Sequence, residues 1–537
     1  MADEQGGAPW WRGAVVYQVY LRSFCDSNGD GQGDFAGLIS KLDYIAGLGV
    51  DAIWLSPIHP SPNRDWGYDV SDYETVHPDY GTLADFDALL AAAHARGLKV
   101  LLDEVLCHTS DEHPWFADSR AKGAKSDWYV WADPKPDGNA PNNWLSAFGG
   151  PAWSYQPARR QHYHHKFLRQ QPKLNWCNPE VKAAALAVLD FWLKRGADGF
   201  RLDVANAYLH DPTLADNPPT APEERTPAIW ADAAELQRHL HDCNLQENID
   251  CLAEIRRTVE RHAGRFVFGE FSEGDERAGA FASPDEGLQS AYTFSMLRAN
   301  KLSPHFVKDN YAALAPHPRH WPSVAFSNHD MIRTVTRFGG APDGDPALAK
   351  LMLALLLSIK GTVLLYQGEE LGLPEVELRR DQLKDPVGDL YYPLFKGRDG
   401  CRTPMPWDAA ARHLGFTSGA PWLPLGKTHG ALAVSDQEND TASPLNFARR
   451  FLTARRRSAA LRLGDIEFVA APAPVLAFVR THEGERALCA FNLSREKVEF
   501  RSNLLSAAKA LDLGCGVATL TGAELSLGPL AAWFASL

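Results

Sequence analysis

Short apolar runs alternate with helical patterns along most of the chain. The strand-like runs are AVVYQVY, DAIWLSPI, KVLLDEVL, GFRLDVA, RFVFGEF, AYTFSM, SVAFSNHD and TVLLYQGEE. Between several of them lie FAGLISKLDYIAGLG, LADFDALLAAAHARG, EVKAAALAVLDFWLKRG and CLAEIRRTVERHAG, where apolar positions recur with the spacing of an amphipathic helix. Many of these segments end in Gly, a common helix stop. Eight strands with intervening helices predict a (β/α)₈ TIM barrel. A doubly wound sheet has the same alternation, so the pattern alone does not choose between them.

Residues 107–175 break the alternation. This stretch is rich in Trp, Pro, Asn, Gly and His and holds no long helical pattern. A structureless loop of that length is out of place inside a compact domain, so it reads as a small inserted domain, B, following the third strand. After Ser458 the pattern changes again: IEFVAAP, VLAFVR, ALCAFNLS and KVEFRS read as antiparallel strands of a C-terminal β-sandwich. The expected organisation is a barrel at 1–106 and 176–458, the insert at 107–175, and the β domain at 459–537.

Composition narrows the function classes. The chain has 537 residues, 45% hydrophobic and 23% charged, with a formal net charge of −13. Phosphate recognition needs concentrated Lys and Arg, so nucleic acid is not an expected partner. The one dense basic cluster, Arg449, Arg450, Arg455, Arg456 and Arg457, falls in a helical pattern and reads as a solvated helix face. No apolar run reaches transmembrane length, and MADEQGGAPWWRG has neither a basic n-region nor an apolar h-region. A cytoplasmic protein with no membrane partner, monomeric or homodimeric, is expected. The eight cysteines form no C-x-x-C pair, which favours free thiols over a zinc or redox motif.

Candidate chemistry gathers at strand ends. In such a barrel, polar residues at the C-terminal ends of strands face the active site. Four predicted strands end in acids: Asp103 in LLDEVLCH, Asp203 in GFRLDVA, Glu270 in FVFGEF and Asp330 in FSNHD. His108 and His329 stand near two of them. Arg201 shares a strand face with Asp203, since residues two apart point the same way, and its charge favours an ionised Asp203. A single acid is most simply a helix cap or a lysine partner; four at matching strand ends are not. Such a set suits glycoside chemistry, in which one acid attacks or stabilises the anomeric carbon and another protonates the leaving oxygen. Phe268 and Phe271 flank Glu270, and an apolar wall there would raise its pKa.

The motifs DEVLCHTSD, GFRLDVANAY, the FGE around Glu270 and FSNHD resemble those of the α-amylase family, glycoside hydrolase family 13. WWRGAVVYQVYLRSF, IWLSPIHPSP, WGYDVSDY, QPKLNWCNP, LLYQGEELG and GRDGCRTPMPW extend the resemblance to about Trp407, with weaker similarity onward. Within the family the chain is most similar to the α-glucosidase and oligo-1,6-glucosidase group. The resemblance implies the same barrel, B domain and C-terminal β domain. It also implies a retaining, exo-acting α-glucosidase that releases single glucose units from the non-reducing end of short α-glucosides such as maltose, isomaltose or sucrose. The route is a covalent glucosyl-enzyme intermediate, with transglucosylation. By resemblance, Asp203 is the nucleophile, Glu270 the general acid/base and Asp330 the transition-state stabiliser. Arg201 orients Asp203, and His108 and His329 hydrogen-bond the sugar. Asp65 and Arg398 close the pocket around the terminal glucose, with Arg402 sharing or replacing the role of Arg398. Tyr68 stacks under the sugar, Phe148 and Phe167 wall it, and Val204, the residue after the nucleophile, leans toward α-1,6 linkages. A glucosyl transferase or sucrose isomerase shares every catalytic residue and is the alternative reading. Family members that serve as non-enzymatic transporter subunits lack the catalytic acids, and all three are present here.

The stretch DSNGDGQGD looks like half of an EF-hand. Oxygen-bearing side chains fall at Asp26, Asn28, Asp30 and Asp34, with Gly31 at the sharp turn. Gly37 stands where an EF-hand needs its bidentate Glu. The resemblance implies one structural Ca²⁺ on those four side chains and the carbonyl of Gln32, with Mg²⁺ as the alternative ion. Many amylases bind a different calcium through Asn at the position of Cys107. A thiol is a poor ligand for a hard cation, so that second site is not expected.

Overall fold

The computed structural model describes residues 7–222, 233–272, 275–283 and 286–537. Its centre is a sheet of eight parallel strands: β1 Val15–Val19, β2 Ala52–Leu55, β3 Lys99–Glu104, β4 Gly199–Leu202, β5 Phe266–Phe271, β6 Ser290–Thr293, β7 Ser323–Ala325 and β8 Thr362–Tyr366. The strand order is β6-β5-β4-β3-β2-β1-β8-β7. First and last strands meet, with Val15 opposite Val363, so the sheet closes into a (β/α)₈ barrel. The β6–β7 seam is made by side chains: Ser290 Oγ donates to the Trp321 carbonyl and accepts from Ser323 Oγ at 2.8 Å.

Alternation along the strands sorts the core into two layers. Val16, Trp54, Leu101, Phe268, Tyr292 and Leu364 fill the barrel interior. Their sequence neighbours Tyr17, Ile53, Leu102, Val267, Ala291 and Leu365 pack outward against the helices. The paired tryptophans of WWRG close the floor: Trp11 stacks on Phe266 with centroids 4.9 Å apart, and Trp10 Nε1 donates to the Gly264 carbonyl.

FAGLISKLDYIAGLG forms two helices, Phe35–Ser40 and Leu42–Leu48, parted at Lys41. The other helical patterns run over Leu83–His94, Pro179–Arg195 and Asn248–Glu260. Gly49 and Gly196 end two helices with φ of 92° and 117°, a left-handed backbone that favours glycine.

Between β3 and β4 the chain makes a helix, Pro114–Arg120, and a three-stranded antiparallel sheet whose central strand is Gln161–His164. The C-terminal region forms five-stranded and three-stranded antiparallel sheets around Val475, Leu488, Phe500, Leu525 and Trp533. On the helix Pro444–Arg457, Arg450, Arg456 and Arg457 are exposed, but Arg455 departs from the expected solvated face. It follows Ala448, Phe451 and Leu452 on the buried stripe and donates to the carbonyls of Leu357 and Gly13 at 2.9 and 2.6 Å. All eight cysteines are free thiols, with Cys177 exposed. Among the described residues, no helix is long and apolar enough to cross a membrane.

Candidate active site

The alternation that fills the barrel also turns Asp103, Arg201, Asp203 and Glu270 toward its axis at the C-terminal end. Arg201 is fully buried and bonds three carboxylates from three adjacent strands. Nη1 donates to Asp103 Oδ1 at 2.6 Å and to Asp203 Oδ1 at 2.8 Å, and Nη2 donates to Glu270 Oε2 at 2.5 Å. Just past β4, Val204 adopts φ 44° and ψ 47°, a left-handed backbone that a β-branched residue resists. That turn aims the Val204 N–H at Glu270 Oε2, 3.2 Å away.

Burial pushes Glu270 up to about 8, against the pull of Arg201. Burial also raises Asp203, to about 7, against the pull of Arg201 and a hydrogen bond from Glu270. Joined by that hydrogen bond, the two carboxyls titrate as one pair. The flanking phenylalanines do not form the anticipated wall. Phe271 faces outward onto Phe281, and Phe268 lies in the interior against Trp54 and Tyr292. Strand alternation sends the two rings to opposite sides of the sheet, so the raised pKa comes from burial of the whole site.

Asp330 stands just after β7. Its Oδ1 accepts from Arg402 Nη2 at 2.9 Å and Arg398 Nη1 at 3.1 Å, and its Oδ2 is 3.2 Å from His329 Nε2. Burial alone would raise it, yet His329, Arg398, Arg402 and Arg201 hold it well below the usual carboxylate range. It stays a carboxylate beside a protonated Glu270.

Above these acids opens a cavity of about 840 Å³. Asp203, Glu270, Asp330, Asp65, Tyr68, His108, Phe148, Phe167, Val204 and Arg398 all line it. At one end Arg398 Nη2 donates to Asp65 Oδ1 at 2.6 Å. The rings of Phe148 and Phe167 meet at 5.2 Å, and the Arg398 guanidinium lies 5.0 Å over Phe148. His108 is buried, which lowers it to about 4, and its Nε2 contacts the Tyr68 carbonyl at 2.8 Å.

Three residues stand behind the wall: Arg201 in its expected place beside Asp203, and His329 and Arg402 outside the cavity lining expected of them. Arg201 is covered by its carboxylates. His329 lies flat under Tyr68, ring centroids 5.2 Å apart and interplanar angle 5°, with its Nε2 2.6 Å from the Tyr68 hydroxyl. Gln18 Nε2 donates to His329 Nδ1 at 2.8 Å, which leaves the ring proton on Nε2 for Tyr68 and Asp330. Arg402 is buried, donating to the His329 carbonyl and Asp330, and makes no bond to Asp65. It therefore does not share the Asp65 contact of Arg398. All three sit one layer deeper than the cavity-lining residues, where they orient them.

Two residues that sequence reasoning missed join the Asp65–Arg398 pair. Asp385 accepts from Arg398 Nη2 at 2.8 Å and Nε at 3.0 Å, and Gln171 Nε2 donates to Asp65 Oδ2 at 3.1 Å. Asp385 precedes Pro386 at a helix start and accepts from Val387 N–H at 3.2 Å. In sequence that is an ordinary cap signature, and nothing local signals its second role.

The Asp26–Asp34 loop folds each of its acids onto backbone N–H groups. Asp26 accepts from Asn28, Gly29 and Gly31 and from the Thr417 hydroxyl. Asn28 and Asp30 accept from Asp30 and Gln32 N–H respectively. Asp34 accepts from Ser27 and caps the helix at Gly37 N–H. At Gly31, φ is 94° and an added Cβ would stand 1.9 Å from the Ala420 carbonyl, so only glycine fits. The donor set is all oxygen, which suits a hard cation. Elsewhere, Cys107 Sγ and the buried Lys173 ammonium both donate to the Ala207 carbonyl, and an ammonium there opposes a second cation.

The family model of the α-amylase catalytic domain matches residues 18–464. The probable α-glucosidase of Rhizobium meliloti (strain 1021) is 49% identical over 500 residues, covering 91% of this chain and 90% of its own length. The solved α-glucosyl transfer enzyme XgtA superposes with a TM-score of 0.96 at 46% identity, covering 98% of this chain and 99% of its own. The trehalulose synthase MutB of Pseudomonas mesoacidophila MX-45 follows the same fold with a TM-score of 0.89 at 33% identity, covering 99% of this chain and all of its own.

Proposed function

The chain belongs to the α-amylase family of glycoside hydrolases, and from that footing we propose a retaining, exo-acting α-glucosidase that works on short α-glucosides and also transfers glucose. The observation that carries this reading is the ion pair Asp65–Arg398 at 2.6 Å, because Arg398 also touches Asp330 at 3.1 Å. A cap in direct contact with a catalytic acid leaves room for one sugar ring beyond the scissile bond. Asp203 attacks the anomeric carbon while Glu270 delivers its proton to the leaving oxygen. Water or a second sugar then completes the reaction, with Glu270 taking a proton back. Support for retention comes from the hydrogen bond between Asp203 and Glu270 and their shared guanidinium. Carboxyls that close leave no place for the water of an inverting enzyme. Asp330, held ionised, bonds the sugar hydroxyls and complements the developing positive charge.

The test is a panel of maltose, isomaltose, sucrose and soluble starch followed by proton NMR. Disaccharides should be turned over faster than starch, and the first glucose should be the α-anomer. Long oligosaccharides released quickly from starch would refute the cap, and initial β-glucose would refute the covalent route. The likeness to XgtA and MutB favours a second reading, a transferase or isomerase. It predicts that from sucrose the glucosyl unit passes mainly to sugar rather than water. Val204 in the cavity wall supports α-1,6 linkages among the accepted substrates, and the isomaltose-to-maltose rate ratio reads this out.

The singly protonated pair is the working form, so kcat/KM should be bell-shaped in pH. The alkaline limb follows loss of the Glu270 proton, near its raised value of about 8. The acid limb follows protonation of Asp203. With an activated aryl glucoside that needs no leaving-group protonation, Glu270→Gln should erase the alkaline limb of the glucosylation step. An unchanged limb would assign it to another group.

A calcium ion on Asp26, Asn28, Asp30, Asp34 and the Gln32 carbonyl would supply charge balance to the loop and take no part in catalysis. Binding to the native state alone raises stability by mass action. Chelator treatment should lower the melting temperature, added Ca²⁺ should restore it, and turnover at moderate temperature should change little. A melting curve that neither treatment moves would show a loop held by its own hydrogen bonds.

A further inference from the structure

The segment after β4 carries a second cluster of reactive side chains that the glycosidic reading leaves unused. His239, Asp242 and Cys243 each offer one ligand atom, and these atoms lie within 4.8 Å of one another. Asp242 and Cys243 are buried, His239 is partly buried, and His239 and Cys243 reach the wall of the substrate cavity. We propose that these three side chains form a binding site for one divalent transition-metal ion of the zinc class.

The donor chemistry selects the ion. A thiolate with an imidazole and a carboxylate is the mixed set that zinc and its neighbours accept, whereas calcium and magnesium want oxygen alone. The His239–Asp242 spacing is nearly right. His239 Nδ1 is 2.9 Å from each Asp242 oxygen. Metal bonds of about 2.0–2.1 Å at a tetrahedral angle place such atoms roughly 3.3 Å apart, so the pair need open by only a few tenths of an ångström. Outer groups hold the ligands in place. Asn217 Nδ2 donates to Asp242 Oδ1 at 2.9 Å and Asn244 Nδ2 to Cys243 Sγ at 3.2 Å. Donors of this kind orient ligands and favour their ionised forms. Lys166 Nζ, 3.5 Å from Asp242 Oδ2, opposes the added charge and keeps the site weaker than a closed structural zinc centre. On binding, the Cys243 thiol proton leaves to solvent and the His239 proton moves from Nδ1 to Nε2, for a net release of one proton. With three protein ligands, a fourth position is left for water.

The test uses the full chain carrying Cys177→Ser, so that the exposed thiol does not contribute. Co²⁺ is titrated in the presence of excess Ca²⁺, and thiolate-to-cobalt charge-transfer absorption is recorded. One equivalent of cobalt should produce the band, and Zn²⁺ should displace it. Cys243→Ser should abolish the band. His239→Gln and Asp242→Asn should weaken binding by at least the roughly 10–100-fold that loss of an outer-shell partner costs. Asp242→Asn removes a buried charged partner of Lys166; if that variant does not fold, His239→Gln decides. Absence of the band in the Cys177→Ser protein overturns the site, as does a band that survives Cys243→Ser or an affinity untouched by His239→Gln.

Discussion

Asp203→Ala is expected to lower kcat by roughly 10⁴- to 10⁶-fold, the scale on which loss of an essential member of a catalytic set acts, while the chain stays folded. Stability should hold because Arg201 keeps Asp103 and Glu270 as partners. The loss should be chemical rather than structural, and added azide can show this. A small anion entering the space of the missing carboxylate attacks the same face, so the product is β-glucosyl azide, the inverted anomer. Steady-state kinetics, a thermal melt and NMR of the azide product form the complete measurement. Near-normal hydrolysis by a folded Asp203→Ala protein would remove Asp203 from the reaction.

Arg201→Met is expected to damage stability as well as activity. The substitution keeps a long apolar stem and removes the guanidinium that bonds Asp103, Asp203 and Glu270. Breaking a buried ion pair from one side costs about 3–5 kcal/mol, because the remaining charge is left uncompensated. The pH dependence identifies the cause. Burial already raises Asp103 to about 6 against the pull of Arg201, and without that cation the folded-state values rise further above the unfolded ones. Groups raised in this way contribute stability that is present at low pH and lost as pH rises through the folded pKa. The gap in melting temperature between Arg201→Met and wild type should therefore narrow as pH falls from about 8 toward 5. A gap that stays constant with pH would point to lost packing rather than stranded charge.

Much of this protein is written in local pattern. A strand buried on both faces needs a near-continuous apolar run, and a helix needs its stripe and its stop, so GFRLDVA, FVFGEF and EVKAAALAVLDFWLKRG mark their elements without reference to the rest of the chain. Placing acids at strand ends is equally local, which is why Asp103, Asp203, Glu270 and Asp330 stand out before any contact is known. Side-chain period alone puts Arg201 and Asp203 on one face. Where local rules ran out, the misses have a shared cause. The helix expected over FAGLISKLDYIAGLG is parted at Lys41, and Phe268 and Phe271, read as one wall, face opposite sides of the sheet. Arg402 and His329 carry the same polar signature as Arg398 and His108, yet lie one layer deeper.

Depth and partnership are decided by closure of the barrel. The cap joins Asp65 to Arg398 across 333 positions of sequence, and Asp385 joins the pair while serving locally as a helix cap. Arg201 reaches Asp103 across 98 positions and Glu270 across 69. No periodicity carries such information, because the energy of these pairs depends on burial and distance, which exist only once the strands surround a common axis. The raised carboxyl of Glu270 and the depressed one of Asp330 follow the same rule. The residue types were visible in the chain, but their opposite protonation states come from the fields and desolvation that the folded barrel imposes.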